Sequence, residues 1–261
     1  MTDIVKRKSG DVTVGSTAGR GFENIDMEQV SMPRAKIMQG LSPELQDEDY
    51  EFKQGDIIHG LLMEKLPEKF VPITIWDSRT MFVPRNQNDK KAFFETVNLE
   101  DTDMMFVCRS LDGKNLDAKF NPFDNHTCKD CKYKDFGWDG DTETKPLCTH
   151  TINILAMFEE MDMPVVLQFS NTNFKHGKKF RDLAYFSGGD LFAKKYKIKS
   201  KKEQNDSGTF FTTPVKPAGR VDDAEELARA EEMYKTYSSV AIEVEEEHDN
   251  REEAATTTSD F

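Results

Sequence analysis

The residues whose type and spacing most directly suggest chemistry are the four cysteines Cys108, Cys128, Cys131 and Cys148, all the cysteines the chain has. Cys128-Lys129-Asp130-Cys131 is a two-residue knuckle, the spacing at which two thiolates and the backbone amides beside them close around one tetrahedral ion. Cys108 and Cys148 flank it in the pattern Cys-x19-Cys-x2-Cys-x16-Cys and supply the other two ligands. His126 and His150 are rivals for one position, so an all-cysteine site and a site of three cysteines with one histidine both stay open. Four protein ligands leave no coordination position for water, so the expected zinc ion is structural rather than hydrolytic. A redox pair is disfavoured because no βαβ pattern surrounds the knuckle. Disulfides are disfavoured because the first residues carry no export signal, which points to a reducing, cytoplasmic setting.

A second constellation is electrostatic. The net charge of −13 at first argues against a polyanionic partner. From Asp222 to Phe261, however, fourteen acidic residues stand against three basic ones, and most of the negative charge sits there. Between Phe174 and Lys202, ten basic residues face only Asp182 and Asp190. Single-stranded nucleic acid is held by cations along its phosphates and by aromatic faces on which unpaired bases stack. The expected contacts are Lys175, Lys178, Lys179, Arg181, Lys194, Lys195, Tyr196, Lys197, Lys199, Lys201, Phe210 and Phe211. Tyr133, Phe136 and Trp138 of the cysteine segment are further aromatic candidates. Lys195, Lys197, Lys199 and Lys201 are read as a stripe along one face of one strand.

The elements that must position these groups follow from hydrophobic periodicity. Strand patterns run over 55–66, 70–76, 103–109, 152–158, 164–169 and 191–200, and a hairpin turn at Asn205–Gly208 leads into 209–213. A short helix is expected at 88–96, and a basic one within 173–186 through Phe180, Leu183 and Ala184. An acidic amphipathic helix is expected over 222–237, capped by Asp222 or Asp223, with Leu227, Ala230, Met233, Tyr234 and Tyr237 as its apolar stripe. Several short strands, a helix between strands and a late hairpin predict a mainly β protein, an OB-fold-like β-barrel with an inserted zinc-binding subdomain and disordered termini. The expected organisation is a flexible arm at 1–30, a binding domain at 31–220 with the zinc insertion at 108–150, an acidic helix at 221–243 and a disordered acidic tail at 244–261. No segment is long and apolar enough to span a membrane.

The tail Glu243-Val244-Glu245-Glu246-Glu247 through Ser259-Asp260-Phe261, together with the knuckle and its flanking Cys108 and Cys148, resembles the single-stranded DNA-binding proteins of tailed bacteriophages. That resemblance implies an OB-fold with a zinc subdomain, a role in coating and protecting template strands during replication and recombination, and a host-cytoplasmic setting. It also implies that Asp260 and Phe261 recruit a polymerase, helicase or primase. The zinc-bearing members of the class use one histidine with three cysteines, whereas four cysteines are present here. An enzyme is not expected: the folded part shows no open acidic metal site, Gly-rich phosphate loop or nucleophile motif. The competing reading is a zinc-ribbon adaptor that bridges transcription or assembly factors without touching DNA.

Overall fold

The computed structural model describes residues 31–84, 86–100, 104–117, 127–205, 208–238, 242 and 244. The expected arm at 1–30, His126, and the tail from 245 with Asp260 and Phe261 lie outside the described residues.

The organising strand is β4 (Lys69–Phe82), fourteen residues long. Pro72 interrupts its ladder, and the register shifts between Pro72 and Thr74, the bulge that lets a strand interior tolerate a residue without an N–H. On one side β4 pairs along its length with β6 (Thr149–Phe158), which pairs in turn with β7 (Val165–Phe169). On its other side, its start pairs with β8 (Lys194–Ile198) and its end with β5 (Phe106–Ser110). Beyond β8 lies β11 (Val215–Arg220), so the main path is β11-β8-β4-β6-β7, antiparallel throughout. Two small sheets stand beside it: β1 (Ala35–Ile37), β2 (Ile57–His59) and β3 (Glu64–Lys65), and the hairpin of β9 (Lys201–Asn205) with β10 (Gly208–Thr212).

This mainly β architecture departs from the expected barrel. Among the described residues β11 and β7 do not pair, and the sheet stays open. The physical reason is that both faces of its centre are apolar and covered. One core joins Phe70, Ile152, Ile154, Leu167 and Phe169 to Phe180 of α2 (Phe174–Phe186). The other joins Val71, Ile73, Leu155 and Val166 to Ala230 of α3 (Ala224–Tyr237). A sheet with two buried faces reads as continuous apolar runs, as Ile154–Phe158 and Val165–Leu167 do, whereas a small barrel needs only one. β11 is a blunted edge, with Pro217 in the strand and Lys216 exposed beside it.

Local chemistry sets the helices. Asn86 caps α1 (Gln87–Val97) by accepting the Asn88 N–H at 2.9 Å, and Asn98 ends it in the left-handed region at φ 55°. Asp223, rather than Asp222, caps α3 by accepting the N–H groups of Glu225 and Glu226. α2 begins where Asn173 accepts the Thr213 N–H at 2.9 Å, tying it to the end of β10. Gly177 lets α2 lie against the sheet, since a Cβ there would stand 2.5 Å from Cβ of Phe169. The chain after α3 continues the second face: Ile242 and Val244 are buried, and Val244 bridges Met32. The packed body therefore reaches Val244, the residue at which the tail was expected to begin.

Candidate nucleic-acid interface and cysteine cluster

The expected lysine stripe does not exist as one surface. Residues of a strand alternate between faces, and the strand breaks after Ile198. Tyr196 and Ile198 point into the core beneath α2, so Lys195 and Lys197 point to the opposite face, the side of α3. There Lys195 donates to Glu226 at 2.8 Å and Glu159 at 3.4 Å, and Glu226 first, then Glu159, raises its pKa. Lys197 stands across the ladder from Lys69 and Lys216, three lysines side by side on neighbouring strands. Lys199 pairs with Glu68 at 2.8 Å. Lys201 opens β9, in a different sheet.

The remaining cations gather around α2. Lys175 and Lys201 both reach Glu203, at 2.9 and 3.0 Å, and these two contacts pull its carboxyl down to about 2. His176 lies among them, its pKa lowered by burial and then by Lys175. Lys178 and Lys179 are exposed and pair with no acid among the described residues. Lys194 closes the far end of the helix, donating to Ser187 Oγ at 2.7 Å and to the Gly188 carbonyl. Arg181 turns inward to Asp77 at 3.1 Å.

The aromatics sort differently from the expectation. Tyr196 is 2 % exposed, between Phe70 and Phe180, and offers no face to a base. Phe211 is half-buried, its ring on the Gly55 backbone and its own backbone exchanging two hydrogen bonds with Gln39. Phe210 beside it is also half-buried. In the cysteine segment Tyr133 is buried against Trp138, while Phe136 is open. Sequence reasoning missed the two aromatics most exposed among the described residues, Tyr185 at 81 % and Phe186 at 84 %. The available signal was adjacency: two neighbouring aromatics at a helix end before Gly188-Gly189 cannot both join a stripe centred on Phe180 and Leu183.

One face of α2 thus carries Lys175, Lys178, Lys179, Asp182, Tyr185 and Phe186 at helical spacing, all exposed. At 1.5 Å per residue, the path from Lys175 to Tyr185 covers about 15 Å.

The four cysteines converge. Cys108, Cys128, Cys131 and Cys148 line one cavity of about 10 Å³, with Arg79, Met81, Leu116 and Lys134, and all are free thiols. Burial, then the neighbouring thiols, pushes Cys108 up to about 12; burial raises Cys148 to about 11, against Arg79. Among the described residues no three His, Cys, Asp or Glu side chains are drawn into a finished ligand set. The donor chemistry nevertheless fits zinc: four soft sulfur donors around a hole about one atom wide. His150 is engaged elsewhere. Its Nε2 lies 3.0 Å from Asp77 and its Nδ1 3.4 Å from Arg79, and its ring packs on Phe174. The His150 hydrogen bond, then the Arg181 and Arg79 charges, holds Asp77 below its ordinary carboxyl value against the opposing effect of burial. Arg79, His150, Asp77 and Arg181 form a polar chain from the cysteine cavity to α2.

Fold and site together define an open antiparallel sheet between two helices of opposite charge, with a cysteine cluster beside the basic one. The family model described as Pam3 phage gp34-like protein matches residues 6–243, and the chain belongs to that bacteriophage family. No curated protein and no solved structure matches it. No helix among the described residues is long and apolar enough to cross a membrane.

Proposed function

We propose that this protein binds single-stranded DNA without sequence preference and coats template strands in replication and recombination. The observation that carries the reading is the outer face of α2, where three lysines are followed by two aromatic rings left in water. Burying a large apolar side chain is worth about 1.5–3 kcal/mol, so two adjacent exposed rings at the end of a cationic face suit a stacking partner. Cations and aromatic faces along one line are the two terms that hold an unpaired strand. α2 packs side-on against the sheet, and nothing in the arrangement suits base-specific reading in a duplex groove.

A zinc ion held by Cys108, Cys128, Cys131 and Cys148 is part of this proposal. When bound it supplies a crosslink of on the order of 10 kcal/mol to a segment with few aliphatic residues. The acidic tail with Asp260 and Phe261 is proposed to recruit replication proteins, with the host cytoplasm as the setting.

The test compares the full chain with a chain ending at Val244, which keeps the packed body whole, on single-stranded and duplex oligonucleotides by gel shift. A DNA coat binds single strands more tightly once the acidic tail is gone, and prefers them to duplex. A zinc-ribbon adaptor binds neither and merely loses its protein partner. Equal affinity for single strand and duplex would remove the stacking argument. Metal analysis should return one zinc per chain.

A further inference from the structure

Next to the cysteine cluster lies a second, open cavity of about 550 Å³. Its wall carries Arg79, Lys114, Lys129 and Lys134, with Asn115 beside them and Asp135 as the one acid. We infer that this cavity is a phosphate-binding site that takes one nucleotide unit, in a strand or free. The inference deepens the DNA-binding reading and, for a polymeric ligand, rests on it.

Three observations carry it. First, the charge is unbalanced: Lys114 and Lys129 pair with no acid among the described residues. Like charges drawn to one concavity repel, and an anion between them relieves that repulsion. Second, the rim is held in place. Asp112 accepts the N–H groups of Lys114 at 2.8 Å and Asn115 at 2.7 Å, fixing the turn that presents them. The Cys128 N–H donates to the Lys114 carbonyl at 3.1 Å, and Lys134 Nζ donates to the Lys129 carbonyl. A site whose cations are positioned before the ligand arrives loses less on binding. Third, Arg79 lines both this cavity and the cysteine cavity and is braced by His150. Its planar fork suits a phosphate, and the volume falls within the range of small-ligand sites.

The position is also continuous with α2. Asp77 and Arg79 are two residues apart on β4, on the face that α2 covers, and Arg181 of α2 reaches Asp77. A strand crossing the Lys175–Phe186 face can thus place a phosphate in this cavity without passing round the sheet.

The experiment uses the full chain, thymidine 5′-monophosphate followed by phosphorus NMR, and a thymidine oligonucleotide followed by fluorescence anisotropy. The variants are K114E/K129E in the cavity and K175E/K179E on α2, all at exposed positions, with circular dichroism to verify folding. The cavity variant should lose the mononucleotide shift and bind the oligonucleotide about tenfold more weakly, with a log–log salt slope shallower by about 0.7 for one phosphate lost. Loss of the mononucleotide alone assigns the site to free nucleotides; loss of oligonucleotide affinity alone assigns it to the strand. If K114E/K129E changes neither, the inference is overturned, and a simultaneous loss of oligonucleotide binding in K175E/K179E leaves the DNA-binding proposal standing. If the wild type binds no oligonucleotide while K114E/K129E abolishes the mononucleotide shift, the cavity stands and the DNA-binding proposal falls.

Discussion

The two faces of the central sheet carry helices of similar length with opposite surface chemistry. α2 presents lysines and two bare aromatic rings to solvent, and the cysteine cluster with its basic cavity stands on the same side. α3 presents Glu225, Glu231 and Glu232, and its Glu226 is spent on Lys195. Both bury an apolar stripe, but α2 leaves large rings outside its core while α3 has only Tyr234 exposed, against Phe192. Lysines close in sequence therefore have unlike roles. Lys178 and Lys179 on α2 pair with no acid among the described residues and are available to a polyanion, Lys175 is held by Glu203, and Lys195 on β8 is a strut between the sheet and α3.

The comparison breaks most severely if α2 loses its seat. Phe180 is 1 % exposed between Phe70 and Tyr196, and Phe180→Ala should cost about 3–5 kcal/mol in chemical denaturation and take oligonucleotide binding with it. Leu227→Ala on α3, half-buried, should cost about 1–2 kcal/mol and leave binding in place. Next in size is charge: reversing Lys175, Lys178 and Lys179 together to Glu should weaken single-strand binding on the order of 100-fold by anisotropy. Lys195→Ala should leave affinity within error and lower stability by about 1 kcal/mol or less, since a partly exposed ion pair contributes little. Tyr185→Ala should cost about 1–3 kcal/mol of binding if a base stacks on it, with no loss of melting temperature.

The smallest effect expected is acid sensitivity away from both helices. His59 is buried, and its Nδ1 accepts the N–H groups of Leu61 and Leu62 at 3.3 and 3.2 Å. Burial lowers its pKa from 6.5, against weaker opposing effects of Pro164 and Glu64. The unfolded chain binds this proton first as the pH falls, so the contribution is whole above 6.5 and is lost below it. His59→Gln should flatten that part of the stability profile, read by thermal melts across the range.

Much of this architecture was legible in residue order because local rules act over a few residues. Alternation marked β6, an apolar run marked β7, the spacing of Phe180, Leu183 and Ala184 marked α2, and the Asp222-Asp223 pair marked the start of α3. The cysteine spacing anticipated one shared cavity. Periodicity says which residues share a face of their own element, and nothing about what that face meets. So the continuous apolar run of β7 was read as a strand without the conclusion that both sheet faces are covered, and a barrel was expected where the sheet stays open. The lysines of 195–201 looked like one stripe because the break after Ile198 and the transfer of the chain to a second sheet are set by pairing partners distant in sequence. Residue order determined most of the elements, though not β1 or β11, together with the cysteine ligand candidates and the segregation of charge along the chain. Only tertiary packing decided which side of the sheet each charge occupies, which aromatics stay outside the core and where a basic cavity opens, because those depend on contacts between elements far apart in the chain.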